Sequence, residues 1–83
     1  MINPIIMQLQ VEKATSVKER AELVIKIKRV YLELQQYANP YFKDGKDMKA
    51  EEIEQCGDEL LKYKQQLIGL DEKISQIKSQ LGE

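Results

Sequence analysis

The chain predicts an all-α fold, an antiparallel helical hairpin of two long arms, and three observations carry that expectation. First, nine positions, Ile53, Cys56, Leu60, Tyr63, Leu67, Leu70, Ile74, Ile77 and Leu81, are spaced alternately three and four residues apart. That spacing, kept for about four heptads, is the mark of a helix with one continuous packing seam. Second, residues 16–38 carry an apolar face of their own behind a helix-start signal. Third, a stop and a turn lie between the two segments. Asn39-Pro40 biases residue 39 out of the helical region, and Lys43-Asp44-Gly45-Lys46 has turn chemistry.

Taken in order, residues 3–14 admit two readings. Asn3-Pro4 is a fair helix start, with proline at the first helical position. Ile5, Met7, Leu9 and Val11 alternate with polar residues, which is strand periodicity. Length favours helix. The second arm exceeds residues 16–38 by about 18 Å of rod, and residues 3–14 supply that length. Met7, Ala14, Val17, Ala21, Val24 and Ile27 would continue the face, with a kink or break expected near residues 14–16. A strand would need a partner in another chain.

Ser16-Val17-Lys18-Glu19 reads as a capping box, which places a helix start at Ser16. The face behind it runs through Leu23, Val24, Ile27, Val30, Tyr31, Leu34, Tyr37 and Ala38. Ile25 and Leu32 lie off that face and are also apolar, so the first arm carries more apolar surface than one partner helix would cover. The second helix is expected to start near Asp47, a good N-cap, and to end near Leu81 with Gly82 in the left-handed closing position. Gly57 and Gly69 fall inside it and are read as tolerated; a small residue also lets a neighbouring backbone come close. Leu61 and Ile68 widen the seam, which suits a bundle better than a bare two-stranded coil. The expected organisation is therefore one domain over residues 1–83: helix about 4–38, turn 39–46, helix about 47–81.

At 83 residues the chain has a small core. Cys56 is the only cysteine and histidine is absent, so neither an internal disulfide nor a structural zinc site is expected. Regular helix packing and oligomerisation remain as sources of stability. The excess face predicts a homo-oligomer, most simply a two-fold dimer forming a four-helix bundle. Parallel pairing of the second helix with its own copy is disfavoured because Lys73 would face Lys78 of the other chain.

Charge is balanced at −1 overall, with nine bases against six acids in residues 1–49 and four against eight in residues 50–83. Opposite net charges suit two helices that attract each other. They do not make a basic nucleic-acid domain. Lys18, Arg20, Lys26, Lys28 and Arg29 spread around the first helix, and Glu19, Glu22 and Glu33 interrupt them. No run reaches the about 20 apolar residues of a membrane span. Residues 1–7 lack the basic leader and long apolar stretch of a signal peptide. With the lone cysteine, this places the expected compartment in the cytoplasm.

No catalytic, cofactor or metal residues are expected. Cys56 has no histidine base and sits in the seam, where a small buried residue belongs. Glu51-Glu52, Asp58-Glu59 and Asp71-Glu72 are neighbours on a helix, so each pair points to different faces. The candidate partner surface is the hairpin tip, where Tyr37, Tyr41 and Phe42 gather three of the five aromatic residues; an equal reading is that these rings cap the bottom of the bundle. The expected function is a non-enzymatic protein-protein interaction module: a small adaptor, assembly chaperone or inhibitor acting through helix packing. The runner-up is a small nucleic-acid-associated regulator using Lys43, Lys46 and Lys49 with the basic part of the first helix.

Overall fold

The computed structural model describes residues 3–83; Met1 and Ile2, at the head of the segment inspected for a leader, lie outside them. Two long helices, α1 (Pro4–Tyr37) and α2 (Ala50–Leu81), pack against each other, joined by a loop with one short 3-10 turn at Gly45–Asp47. The hairpin is 70 Å long and 15 Å across in each other direction.

Residues 4–14 are helix, which settles the choice between helix and strand. Asn3 caps α1, its side-chain oxygen accepting the Ile5 N–H at 2.9 Å, and Pro4 occupies the first turn. These devices satisfy free donors at the start, which an isolated strand would leave open.

The helix does not restart at Ser16. α1 is unbroken from Pro4 to Tyr37, and Ser16 is fully buried within it, not a cap. The residues on both sides are satisfied as helix; Thr15, for example, bonds back from its hydroxyl to the Val11 carbonyl at 3.0 Å. The continuation through Met7, Ala14, Val17 and Ala21 is also corrected, because all four are exposed. The non-exposed positions of α1 instead include Leu9, Lys13, Ser16, Arg20, Leu23, Ile27, Val30, Leu34 and Tyr37. These alternate by four and three, so α1 has a regular seam whose N-terminal half admits polar residues. Tyr31 and Ala38, expected on the apolar face, stand at its exposed edge.

On α2, all nine positions from Ile53 to Leu81 are buried or half-buried, and Glu52 is the one other residue of that helix that is not exposed. Among the described residues, two ion pairs join the arms: Arg20 with Asp71, and Lys13 with Glu83. Early residues of α1 thus meet late residues of α2, which makes the arms antiparallel.

Asp47 does not cap α2. Its carboxylate accepts the N–H groups of Lys43 and Asp44, each at 3.1 Å, and is spent inside the loop. α2 therefore begins three residues later, with Lys49 at the N-cap position and no side-chain cap. It closes on Gly82 at φ 78°, where the Glu83 N–H reaches the Lys78 carbonyl at 2.8 Å. This is the left-handed ending that glycine permits without strain. Gly57 and Gly69 meet no neighbouring backbone: a Cβ built on either finds nothing within 4 Å.

Among the described residues, five apolar ones form the core: Leu23, Val30, Cys56, Ile74 and Ile77. The accessible surface is 6898 Å², against about 5,100 Å² for a compact monomer of this mass. A single hairpin leaves much of its surface wet.

Candidate protein-interaction surfaces

The tip begins where α1 stops. The Asn39 side chain accepts the Tyr41 N–H at 3.0 Å, and the Pro40 carbonyl accepts the Phe42 N–H at 3.1 Å. These bonds turn the chain and throw the two rings outward. Tyr41 is 92% exposed and Phe42 49%. Tyr37, at the last position of the α1 seam, is half-buried. All three line one cleft together with Met48 and Ile53. Residues on both arms thus contribute to one recess at the end of the rod, where these apolar side chains stand beside Gln36, Asn39, Asp47 and Lys49.

The loop under this cleft is held by acids. Asp44 accepts the Lys46 N–H at 3.3 Å, and Asp47 closes the reciprocal bond to the Asp44 N–H. The backbone donor of Lys43, with that of Asp44, holds the Asp47 carboxyl below the usual carboxylate range. Lys43, Lys46 and Lys49 are exposed on the same loop. Asp44 and Asp47 lie among them.

Met48 is a tip residue that sequence reasoning missed. It directly precedes the α2 N-cap position, and Ile53 is the fourth residue of that helix. That pair has the spacing of a hydrophobic staple, and both residues line the cleft. Placing the helix start at Asp47 hid the signal.

A second surface lies along one side of the rod. Tyr31 and Leu61 line a cleft with Ile27, Leu60, Lys64 and Leu67, so the two exposed residues flank the seam on the same side. Val24 and Val17 repeat Tyr31 at seven-residue steps on α1, and Ile68 repeats Leu61 on α2. Ile25 and Leu32 extend this side outward; Val17, Ile25, Tyr31, Leu32, Leu61 and Ile68 are exposed, and Val24 is half-buried. The other side is different in kind. The cleft there is lined by Lys26, Arg29, Glu33 and Glu59 around Val30 and Tyr63. One flank of the hairpin carries this exposed apolar row, and among the described residues the opposite flank has no such row beside its charged side chains.

Cys56 lies in the seam, nearly closed to solvent. Burial pushes its thiol up, and the nearby carboxylates of Glu33 and Glu59 push the same way. Arg20 grips Asp71 through Nε at 2.5 Å and Nη2 at 3.4 Å. The bond holds the Asp71 carboxyl below its usual range and raises the guanidinium. Among the described residues, no three His, Cys, Asp or Glu side chains group to hold a metal ion, and no helix is long and apolar enough to cross a membrane. No protein-family model, curated protein or solved structure matches this chain.

Proposed function

We propose that the chain is a non-enzymatic helical interaction module, of the adaptor, assembly-chaperone or inhibitor kind, which self-associates into a four-helix bundle and presents its aromatic tip to a protein partner. The apolar flank is the observation that carries the reading. A row of exposed branched and aromatic side chains along one side of a thin rod, facing a charged row on the other, is the pattern of a surface that a helix covers. The small core points the same way, since short chains with neither disulfide nor metal gain stability by associating.

The tip is the second surface. Its loop is held by specific hydrogen bonds while Tyr41 and Phe42 face water, an arrangement that presents rigid aromatic area at low entropic cost. The nucleic-acid reading is weaker because Arg20 is engaged by Asp71 and the tip lysines alternate with acids.

The test is Tyr41→Ser combined with Phe42→Ser. If the tip docks a partner, capture of that partner is lost while stability stays within about 1 kcal/mol of the parent. A loss of more than about 2 kcal/mol would instead make the rings structural. Intact capture would remove the tip as the docking surface.

A further inference from the structure

The geometry points to a specific dimer, resting on the self-association proposed above: two hairpins pack through their apolar flanks about a two-fold axis parallel to the helices, so that α1 of each lies on α2 of its partner and both tips emerge at the same end. The partner that covers this flank is therefore a second copy of the chain.

The argument starts from levels along the rod. Tyr31 and Leu61 line one cleft, and the Arg20–Asp71 pair fixes their level: Tyr31 is eleven residues on from Arg20 and Leu61 ten residues back from Asp71, so the two stand at nearly the same height. Seven residues back on α1 and seven forward on α2 are the same step of about 10 Å toward the open end. Val24 and Ile25 are thus level with Ile68. Another such step brings Lys18 level with the turn of α2 that carries Glu72. An axis parallel to the helices preserves levels. Tyr31 and Leu32 then meet the partner's Leu61, and Val24 and Ile25 meet the partner's Ile68. Each of the two large apolar side chains on the α2 flank finds an apolar pair opposite it.

Charge selects the same arrangement. The α1 flank carries Lys18 and Lys28 and no acid. The outer edge of the α2 flank carries Glu51, Glu54, Asp58 and Glu72 and no base; its inner edge, beside the seam, has Lys64, Lys78 and the Asp71 already held by Arg20. Laying α1 on the partner's α2 sets Lys18 opposite the partner's Glu72, whereas Lys28 falls level with the partner's Lys64 and Glu51, Glu54 and Asp58 fall level with the uncharged residues 34–41. The rival two-fold axis, perpendicular to the helices, lays α2 on α2 and brings the two acidic edges together. Like charges along such an edge select against that pairing. The flank is also large enough: a rod 70 Å long and 15 Å wide exceeds the about 800 Å² per partner of a standard interface.

The consequence is a doubled tip. Two copies each of Tyr41 and Phe42 would sit side by side at one end, a platform that could grip a two-fold partner or two copies of one segment.

Two measurements test this. A nitroxide on Lys43→Cys reports the tip-to-tip distance, since Cys56 is buried and stays unlabelled; the labelled wild-type chain is the control. Tips at one end of a bundle give about 20–30 Å with the label arms included. A distance near the 70 Å length of the rod would overturn this arrangement and leave the dimer standing. A monomeric mass with no dipolar signal would overturn both. The second measurement uses charge reversal. Lys18→Glu and Glu72→Lys should each weaken self-association by about tenfold, from two reversed surface pairs per dimer. Mixed together, the two variants should associate as tightly as wild type, because every Lys18–Glu72 contact in the mixed dimer is again between opposite charges. A mixture no tighter than the separate variants would refute the α1-on-α2 packing.

Discussion

Replacing Ser16 by alanine should stabilise the protein. Ser16 is 0% exposed, and its Oγ has no hydrogen-bond partner. It lies in the α1 seam, where a hydroxyl loses water and gains nothing. An unsatisfied buried polar group costs about 1–3 kcal/mol, and alanine is the better helix former by a few tenths of a kcal/mol. The two residues are close in size, so the change opens almost no cavity. Taking the lower part of the range gives a gain of about 1.5 kcal/mol, or about 6–12 °C in Tm for a chain of this length. The assay is a thermal melt followed by circular dichroism at one fixed chain concentration, because association makes Tm depend on concentration. Thr15→Ala is the comparison, since that hydroxyl is exposed and bonded within its own helix. A Tm for Ser16→Ala equal to or below wild type would refute the reasoning: the hydroxyl would have a partner, and the seam would not be dry at that point.

Three further outcomes follow from the same structure. Leu67→Ala, in the middle of the α2 seam, should cost about 2 kcal/mol or more, whereas Lys62→Ala, which is exposed, should stay within about 0.5 kcal/mol; similar melting shifts would mean the seam is misplaced. Gly69→Ala should raise stability by up to about 1 kcal/mol, because its Cβ would meet nothing; a lower Tm would mean that something covers that exposed side of α2. Asp47 and Asp71 both titrate below their ordinary value of 3.8 in the folded chain. Depressed folded values contribute stability that is present above the unfolded pKa and lost as pH falls through the folded ones. Melting should therefore hold steady from neutral pH to about 5 and fall below about 4, and Arg20→Gln should flatten part of that acid slope; an unchanged slope in this variant would show that the Arg20–Asp71 bond does not form in solution.

What could be read from the sequence depended on which residues fill the seam. On α2 every seam position is apolar or cysteine, so a search for apolar spacing finds the helix face directly. On α1 the same alternation runs from Leu9 to Tyr37, but Lys13, Ser16 and Arg20 occupy three of its positions. A search for apolar residues alone slides off this seam onto Met7, Ala14, Val17 and Ala21, which belong to the exposed flank. Polar residues are tolerated there because the two long cations reach Glu83 and Asp71 at the edge of α2, and serine is small enough to be covered. Ser16 resembles a cap because Glu19 follows it at capping-box spacing. Nothing in those four residues tells that the preceding turns are already helical and that the serine's side chain is enclosed. Asp47 misled in a related way: as a single residue it is a good N-cap, but the loop donors of Lys43 and Asp44 reach it first. The aromatic cluster of the tip was legible as composition, while its cleft was not, because Met48 and Ile53 join it only once α2 starts at Ala50.

The most direct test of the account is the mass of the folded chain in solution. Sedimentation equilibrium at micromolar concentration should give twice the monomer mass of 9.7 kDa, with helicity matching two long arms. Ile25→Glu combined with Leu32→Glu, both on the exposed apolar flank, should return the chain to monomer mass and make its Tm independent of concentration. A wild-type chain that sediments as a fully helical monomer at 9.7 kDa, or a dimer that the flank substitutions leave intact, would contradict the claim that this flank is where copies of the protein meet.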